Sequence, residues 1–206
     1  MKKIVKMGYG FTRNNTALSA VTVAETISIK ELFAKGLKKI KELASHVFVW
    51  FEFDDGERVY FEALIKKDWT GPHPIGKAKA WAAAEPGRFL RMYDLTPLLF
   101  LSPEQMATRY RFAEAKLGDW RYNEKQLGLS LRTVRLTRKL FGRSFFKPSV
   151  GGVHCVESAG RVTDHPPFFD VLRLCGVLDY DHLNPAMLER AIVKAGVAEQ
   201  DTAGGA

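Results

Sequence analysis

Cysteine and long apolar runs are both scarce in this chain. Cys155 and Cys175 are its only two cysteines among 206 residues, so a disulfide scaffold cannot be argued from their spacing. No stretch approaches the ~20 apolar residues that span a membrane, and the basic start lacks the apolar run of a signal peptide. We therefore expect a cytoplasmic protein without a transmembrane segment, and export by a route without a signal peptide stays open.

Low-complexity segments, internal repeats and dividing linkers are also missing from the sequence. Apolar residues make up 46%, aromatic residues 12% and charged residues 26% of the chain, which excludes a disordered or fibrous protein. We predict one domain over residues 1–197 and a flexible tail over residues 198–206. The net charge of +8 suits anions, nucleic acid or acidic membranes, but the basic residues are spread along the chain and favour none of them.

The periodicity of apolar residues predicts a mixture of helices and hairpin strands. An alternating pattern around the turn Asp54-Asp55-Gly56 is typical of a β-hairpin, and Ser102 followed by Pro103 is typical of a helix start. The order of elements indicates an α+β fold. The predicted strands are Ile4 to Phe11, broken at Gly8 and Gly10, His46 to Phe53, Arg58 to Leu64 and Phe89 to Leu95. The predicted helices are Ser28 to Ala44, Lys77 to Ala84, Ser102 to Leu117, His154 to Thr163, Phe168 to Cys175 and Asn184 to Ala195.

Cys155 is the best candidate for a nucleophile. It follows a glycine-containing loop and stands at the predicted start of a helix. The positive end of a helix favours a thiolate over a thiol and stabilises an oxyanion. The same position also suits a small buried apolar residue, which is the usual role of a free cysteine. Cys175 fits that second role better, since it falls on the apolar face of its predicted helix.

His46 is the histidine best placed to act as a base for this thiol. A thiolate nucleophile needs an imidazole that holds its proton and delivers it to the leaving group. His46 begins a predicted strand directly after a helix. His154 adjoins Cys155, but neighbours on a helix point about 100° apart. The other three, His73, His165 and His182, lie beside prolines or a helix cap and indicate surface positions.

Glu62 is the predicted partner of His46, and the prediction depends on the length of one turn. A three-residue loop at Asp54-Asp55-Gly56 pairs Phe53 with Glu57, which sets Glu62 opposite Phe48. His46 and Glu62 then lie on one face of the hairpin, on a diagonal of roughly 7 Å. A loop one residue longer or shorter would place Glu62 on the opposite face.

These motifs together resemble a known family. Ser45-His46-Val47 after a helix, Tyr60-Phe61-Glu62-Ala63 on the next strand and His154-Cys155-Val156-Glu157 on a late helix are similar to the circularly permuted branch of the NlpC-type, papain-like cysteine peptidases, with YiiX-like hydrolases as the nearest kind. In that branch the histidine strand precedes the cysteine helix, as here. The likeness extends to Gly8-Tyr9-Gly10-Phe11-Thr12, to Gly118-Asp119-Trp120-Arg121-Tyr122-Asn123 and to Leu183-Asn184-Pro185-Ala186-Met187-Leu188.

The resemblance implies a single-domain permuted papain-like fold and a cysteine hydrolase. It implies Cys155 as nucleophile, His46 as base and Glu62 as orienting group, with no cofactor and no metal. The substrates it implies are peptides or other amides like those of the cell wall, or acyl lipids, with acyl transfer as a further outcome. Two residues depart from the family pattern: Val156 stands where serine is common, and Asn123 follows Tyr122 in place of aspartate. Glu157 fits a structural hydrogen-bonding role.

Two alternatives follow from other residues. A basic segment between residues 132 and 147 with interleaved aromatics fits a nucleic-acid-binding module without catalysis, although such a run is more often a solvated helix face. A zinc site at Cys155, Cys175, His154 and His165 lacks the paired short spacings of known zinc ligands. The basic segment consists of Arg132, Arg135, Arg138, Lys139, Arg143 and Lys147, with Phe141, Phe145 and Phe146 among them.

Overall fold

A computed structural model describes the parts of the chain that build one antiparallel sheet and the helices packed on it. The described residues are 2–12, 43–63, 76–79, 89–116, 121–122, 152–153, 155–163 and 184–200. The strands are β1 Ile4–Thr12, β2 His46–Phe53, β3 Arg58–Glu62, β4 Gly76–Lys79, β5 Phe89–Asp94, β6 Arg121–Tyr122, β7 Gly152–Val153 and β8 Glu199–Gln200. The helices are α1 Thr96–Leu99, α2 Pro103–Ala115, α3 Cys155–Thr163 and α4 Pro185–Lys194.

The main sheet has six strands in the order β4-β3-β2-β1-β5-β8. Every neighbouring pair in it is antiparallel. With helices packed against this sheet, the architecture is α+β, as the sequence predicts. The two short strands β6 and β7 form a separate parallel pair, in which Tyr122 is opposite Val153.

The β2–β3 hairpin confirms the predicted turn and its register. The Phe53 N–H donates to the Glu57 carbonyl over 2.9 Å, so residues 54–56 form a three-residue loop. Gly56 closes it with φ +81°, a left-handed conformation that glycine adopts without steric cost. The register then runs from Glu52 opposite Arg58 to Phe48 opposite Glu62. Glu62 therefore lies on the predicted face of the hairpin.

Strand β1 is continuous through Gly8 and Gly10, which corrects the predicted break. A Cβ at Gly8 would lie 1.9 Å from the Tyr93 carbonyl oxygen, and a Cβ at Gly10 would lie 1.8 Å from Cζ of Phe48. The two glycines therefore leave room for the backbone of the neighbouring strand at Tyr93 and for the ring of Phe48. Their role depends on contacts between strands, which a local pattern does not contain.

The two faces of the sheet carry two separate groups of buried residues. The larger core joins alternate residues of β1, β2 and β3 to apolar residues of the helices, including Val156, Ala159 and Val162 of α3. The smaller group consists of Phe48, Trp50, Tyr60 and Met92. Helix α3 is buried along nearly its whole length, with Arg161 as its one exposed residue. It contacts β2 and β3, which brings its first residue to the hairpin.

Helix ends follow the local signals in the sequence. Ser102 caps α2 in a reciprocal capping box with Gln105, with Pro103 at the first helical position, as predicted. Asn184 caps α4, where the Met187 N–H donates to Asn184 Oδ1 over 2.9 Å.

Short strands account for the other differences from the predicted elements. A helix was expected from Lys77, but Gly76–Lys79 pairs with β3 as strand β4. Glu199 and Gln200 fall in the predicted tail and pair with Tyr93 and Met92 as β8. Leu43 and Ala44, the expected end of a helix, are not helical. The rest of that helix, the predicted helix Phe168 to Cys175 and residues 201–206 lie outside the described residues.

Within the described ranges, no helix is long and apolar enough to cross a membrane.

Candidate active site

Three elements bring the predicted site residues together. His46 is the first residue of β2, Glu62 is the last residue of β3, and Cys155 is the first residue of α3. Hairpin pairing aligns the first two, and packing of α3 on the hairpin brings the third. All three side chains belong to residues that are at most 4% exposed, so their interactions take place in a largely water-free environment.

His46 is the centre of the arrangement. Its Nε2 lies 3.0 Å from Glu62 Oε2, and its ring is also hydrogen-bonded to the Cys155 side chain. Because Nε2 faces the carboxylate, Nδ1 is the ring nitrogen left for the thiol. The three groups therefore form a chain in the order carboxylate, imidazole, thiol, which is the order that a nucleophile, base and orienting group require.

The electrostatics of the site keep His46 protonated. Burial alone lowers the pKa of the ring, since it disfavours the charged form. The hydrogen bonds to Cys155 and Glu62 and the negative charges of both residues outweigh burial, and they raise the pKa of His46 from its ordinary 6.5 to about 10. An imidazolium beside the sulfur favours the thiolate form of Cys155 over the thiol.

The position of Cys155 on α3 acts in the same direction. The N-terminal end of a helix carries partial positive charge, which stabilises an anion placed there. The Ser158 hydroxyl donates to the Cys155 carbonyl over 2.9 Å, and this bond fixes the first turn around the sulfur. Glu157 also lies in this turn, and its carboxylate accepts a hydrogen bond from Arg161 four residues later. That ion pair joins two successive turns of α3, in line with the structural role expected for Glu157.

The chain just before Cys155 is held by strand β7. Gly152 and Val153 pair in parallel with Arg121 and Tyr122, which belong to the Gly118–Asn123 stretch. The pairing links two of the sequence motifs in space, immediately before the nucleophile. Neither segment is predicted as a strand from the sequence, because strands of two residues have no detectable period.

The other predicted residues lie in parts of the chain that the structure does not describe. His73, His154, His165, His182 and Cys175 lie outside the described residues, as does the basic segment 132–147. Among the residues that the structure describes, no group of three or more His, Cys, Asp or Glu side chains could hold a metal ion. The residues of the nucleic-acid alternative and all but Cys155 of the zinc alternative lie outside the described ranges, so both alternatives stay predictions.

Comparison with known proteins adds no family to this description. No family model matches the chain, and no curated protein or solved structure matches it either.

Proposed function

We propose that this chain is a cysteine hydrolase of the circularly permuted papain-like kind, resembling NlpC-type and YiiX-like enzymes. The observation that carries the proposal is the buried His46 ring, hydrogen-bonded to Glu62 on one side and to Cys155 on the other. A buried imidazole that joins a thiol to a carboxylate is the arrangement that thiol acyl-transfer chemistry uses. The order of histidine strand before cysteine helix supports the permuted form.

Acylation begins from the thiolate of Cys155. The sulfur attacks the carbonyl carbon of an amide or ester, and the positive end of α3 stabilises the oxyanion that forms. The carbon–heteroatom bond then breaks, and the His46 imidazolium delivers its proton to the departing amine or alcohol. The products of this half-reaction are a thioester on Cys155 and a neutral His46 ring.

Hydrolysis returns the site to its starting state. The neutral His46 ring takes a proton from water as the water oxygen attacks the thioester carbonyl. The carbon–sulfur bond breaks and a carboxylic acid departs. The Cys155 thiolate and the His46 imidazolium are then restored. Glu62 holds the ring in one orientation and stabilises its charged form at both stages. The proposed substrates are peptide-like amides or acyl esters, with acyl transfer to another acceptor as the variant of the same chemistry.

Alkylation of the two cysteines tests the proposal directly. A small reagent, iodoacetamide, is applied to the wild-type chain, Cys155→Ala and Cys175→Ala at pH 6, where an ordinary thiol is mostly protonated. We expect fast labelling in the wild type and in Cys175→Ala, and loss of that fast phase in Cys155→Ala. His46→Ala should slow the labelling of Cys155, because the ring that favours the thiolate is gone. Equal labelling of Cys175 in the wild type would contradict a catalytic Cys155.

A further inference from the structure

Thr12 is a buried residue beside the site whose hydroxyl has no visible role in the fold. It is the last residue of β1 and is 0% exposed. Its Oγ1 has no hydrogen-bond partner in the part of the chain that the structure describes. A comparable buried hydroxyl is paired: Thr163 Oγ1 donates to the Ala159 carbonyl over 2.9 Å. Burying an unpaired hydroxyl is destabilising, so packing alone does not account for threonine here.

The register places Thr12 directly beside the proposed base, His46. Thr12 is directly opposite His46 in the β1–β2 pairing, and directly opposite residues point to the same face with Cβ atoms about 4.5–5.5 Å apart. The backbone of Thr12 is fixed, since its carbonyl accepts a 3.0 Å hydrogen bond from the Ser45 N–H and the residue also pairs with Phe89 on β5. The Thr12 side chain therefore starts from a fixed position on the same face of the sheet as His46.

We propose that the Thr12 hydroxyl positions the water molecule that hydrolyses the acyl-enzyme. This inference rests on the hydrolase function proposed above. Once Cys155 carries the acyl group, the neutral His46 ring has lost the thiolate as its partner. A water that donates one hydrogen to that ring needs a second polar partner to aim its oxygen at the carbonyl carbon. Thr12 supplies this partner from the same face of the sheet, and the water's proton still goes to His46.

Acylation makes no use of this hydroxyl. The imidazolium proton passes directly from His46 to the leaving group, and the thiolate needs no further donor. Removing the hydroxyl should therefore slow one half-reaction and spare the other. Thr12→Val removes the hydroxyl at nearly constant shape, while Thr12→Ser keeps the hydroxyl and removes the methyl group, so the two variants form a matched pair.

The test is pre-steady-state kinetics of the full chain with p-nitrophenyl acetate. The burst of p-nitrophenolate reports acylation, the following steady phase reports hydrolysis, and intact mass measures the acetyl group on Cys155. Cys155→Ala gives the background. We expect Thr12→Val to keep the burst rate within about 2-fold and to slow hydrolysis about 10-fold, which is what loss of one hydrogen bond in a transition state costs. Thr12→Ser should restore hydrolysis, and Thr12→Val should unfold at the wild-type temperature or above it.

The outcomes separate this inference from the function on which it rests. A normal burst with unchanged hydrolysis in Thr12→Val overturns the role of Thr12 alone. Equal slowing of burst and hydrolysis also overturns it, because the hydroxyl then acts on the thiol and ring rather than on water. A lowered unfolding temperature for Thr12→Val, recovered in Thr12→Ser, shows a structural hydroxyl and overturns it as well. Absence of a Cys155-dependent burst in the wild type overturns the hydrolase function and the role of Thr12 together.

Discussion

Two buried glutamates of this protein have different partners, and we propose that the difference separates a structural contact from a catalytic one. Glu189 on α4 faces Arg91 of β5, whose guanidinium donates to both carboxylate oxygens, with the Nη2–Oε2 distance at 2.9 Å. The Tyr93 hydroxyl donates to the same carboxylate over 3.2 Å. Arginine keeps its charge at every working pH. This cluster is therefore built around a permanent cation, and it joins helix to sheet.

Glu62 instead faces a ring that can gain or lose a proton. His46 donates one hydrogen bond to the Glu62 carboxylate, and its ring is hydrogen-bonded to the Cys155 side chain on the other side, so its charge is linked to the state of Cys155. Both glutamates are at most 5% exposed, so burial does not distinguish them. The two glutamates differ in their partner. A permanent cation beside a carboxylate holds two elements of the fold together, while an imidazole beside a thiol can move a proton during a reaction.

Removing the imidazole should have the largest effect on activity. His46→Ala takes away the group that both stabilises the thiolate and protonates the leaving group, and general acid–base catalysis contributes about 10²–10⁴-fold. We expect kcat/KM for an ester or amide substrate to fall by at least this factor, while circular dichroism shows that the fold remains. A His46→Ala chain with more than about a tenth of wild-type activity would show that another group is the base.

The site could be predicted because its main determinant is local. Asp54-Asp55-Gly56 sets the length of one turn, and that length alone fixes the face on which Glu62 lies. The helix start at Cys155 is likewise encoded in neighbouring residues. The contact between Cys155 and His46 is not local, and it was predicted through the resemblance of several motifs to one family. Thr12 lies in one of those motifs, but its position opposite His46 depends on the pairing of β1 with β2.

The parts of the fold that the sequence did not predict depend on contacts between distant segments. Strand β4 follows from pairing with β3, and β8 from pairing with β5; both are too short for a periodic pattern. Glycine is needed at two positions of β1 because the rings of Phe48 and Trp50 occupy the space that a side chain would fill. The Arg91–Glu189 pair joins residues that only the packing of α4 brings together.

Replacing the carboxylate should have a smaller effect than replacing the ring, and it should depend on pH. In serine protease triads, losing the orienting carboxylate costs roughly 10- to 100-fold less than losing the base, and we expect the same ranking for Glu62→Gln. The imidazolium is the acid in acylation, so activity should fall as pH rises through the His46 pKa of about 10. Glu62 raises that pKa through its hydrogen bond and charge, and glutamine lacks the charge.

The profile of kcat/KM against pH measures this effect. The wild-type profile should keep its activity up to about pH 10 and then decline. In Glu62→Gln the decline should begin at lower pH, because the protonated ring has lost a stabilising charge. A Glu62→Gln chain whose alkaline decline coincides with that of the wild type would show that the carboxylate does not act on the ring, and Cys155 with His46 would remain as a dyad.

The same substitution at the other glutamate should have the smallest effect on activity and still affect stability. Glu189→Gln leaves the Arg91 guanidinium partly buried beside a neutral amide, and loss of a hydrogen-bonded charge in such a place costs about 1–3 kcal/mol. We expect urea unfolding to shift to lower concentration, with kcat/KM and its pH profile within about 2-fold of the wild type. Glu62→Gln, the same chemical change, should show the reverse pattern of altered pH profile and smaller loss of stability. If the alkaline decline of kcat/KM moved in Glu189→Gln, Glu189 would also act on His46. The contrast between a permanent cation and an imidazole would then no longer explain which of the two glutamates serves the reaction.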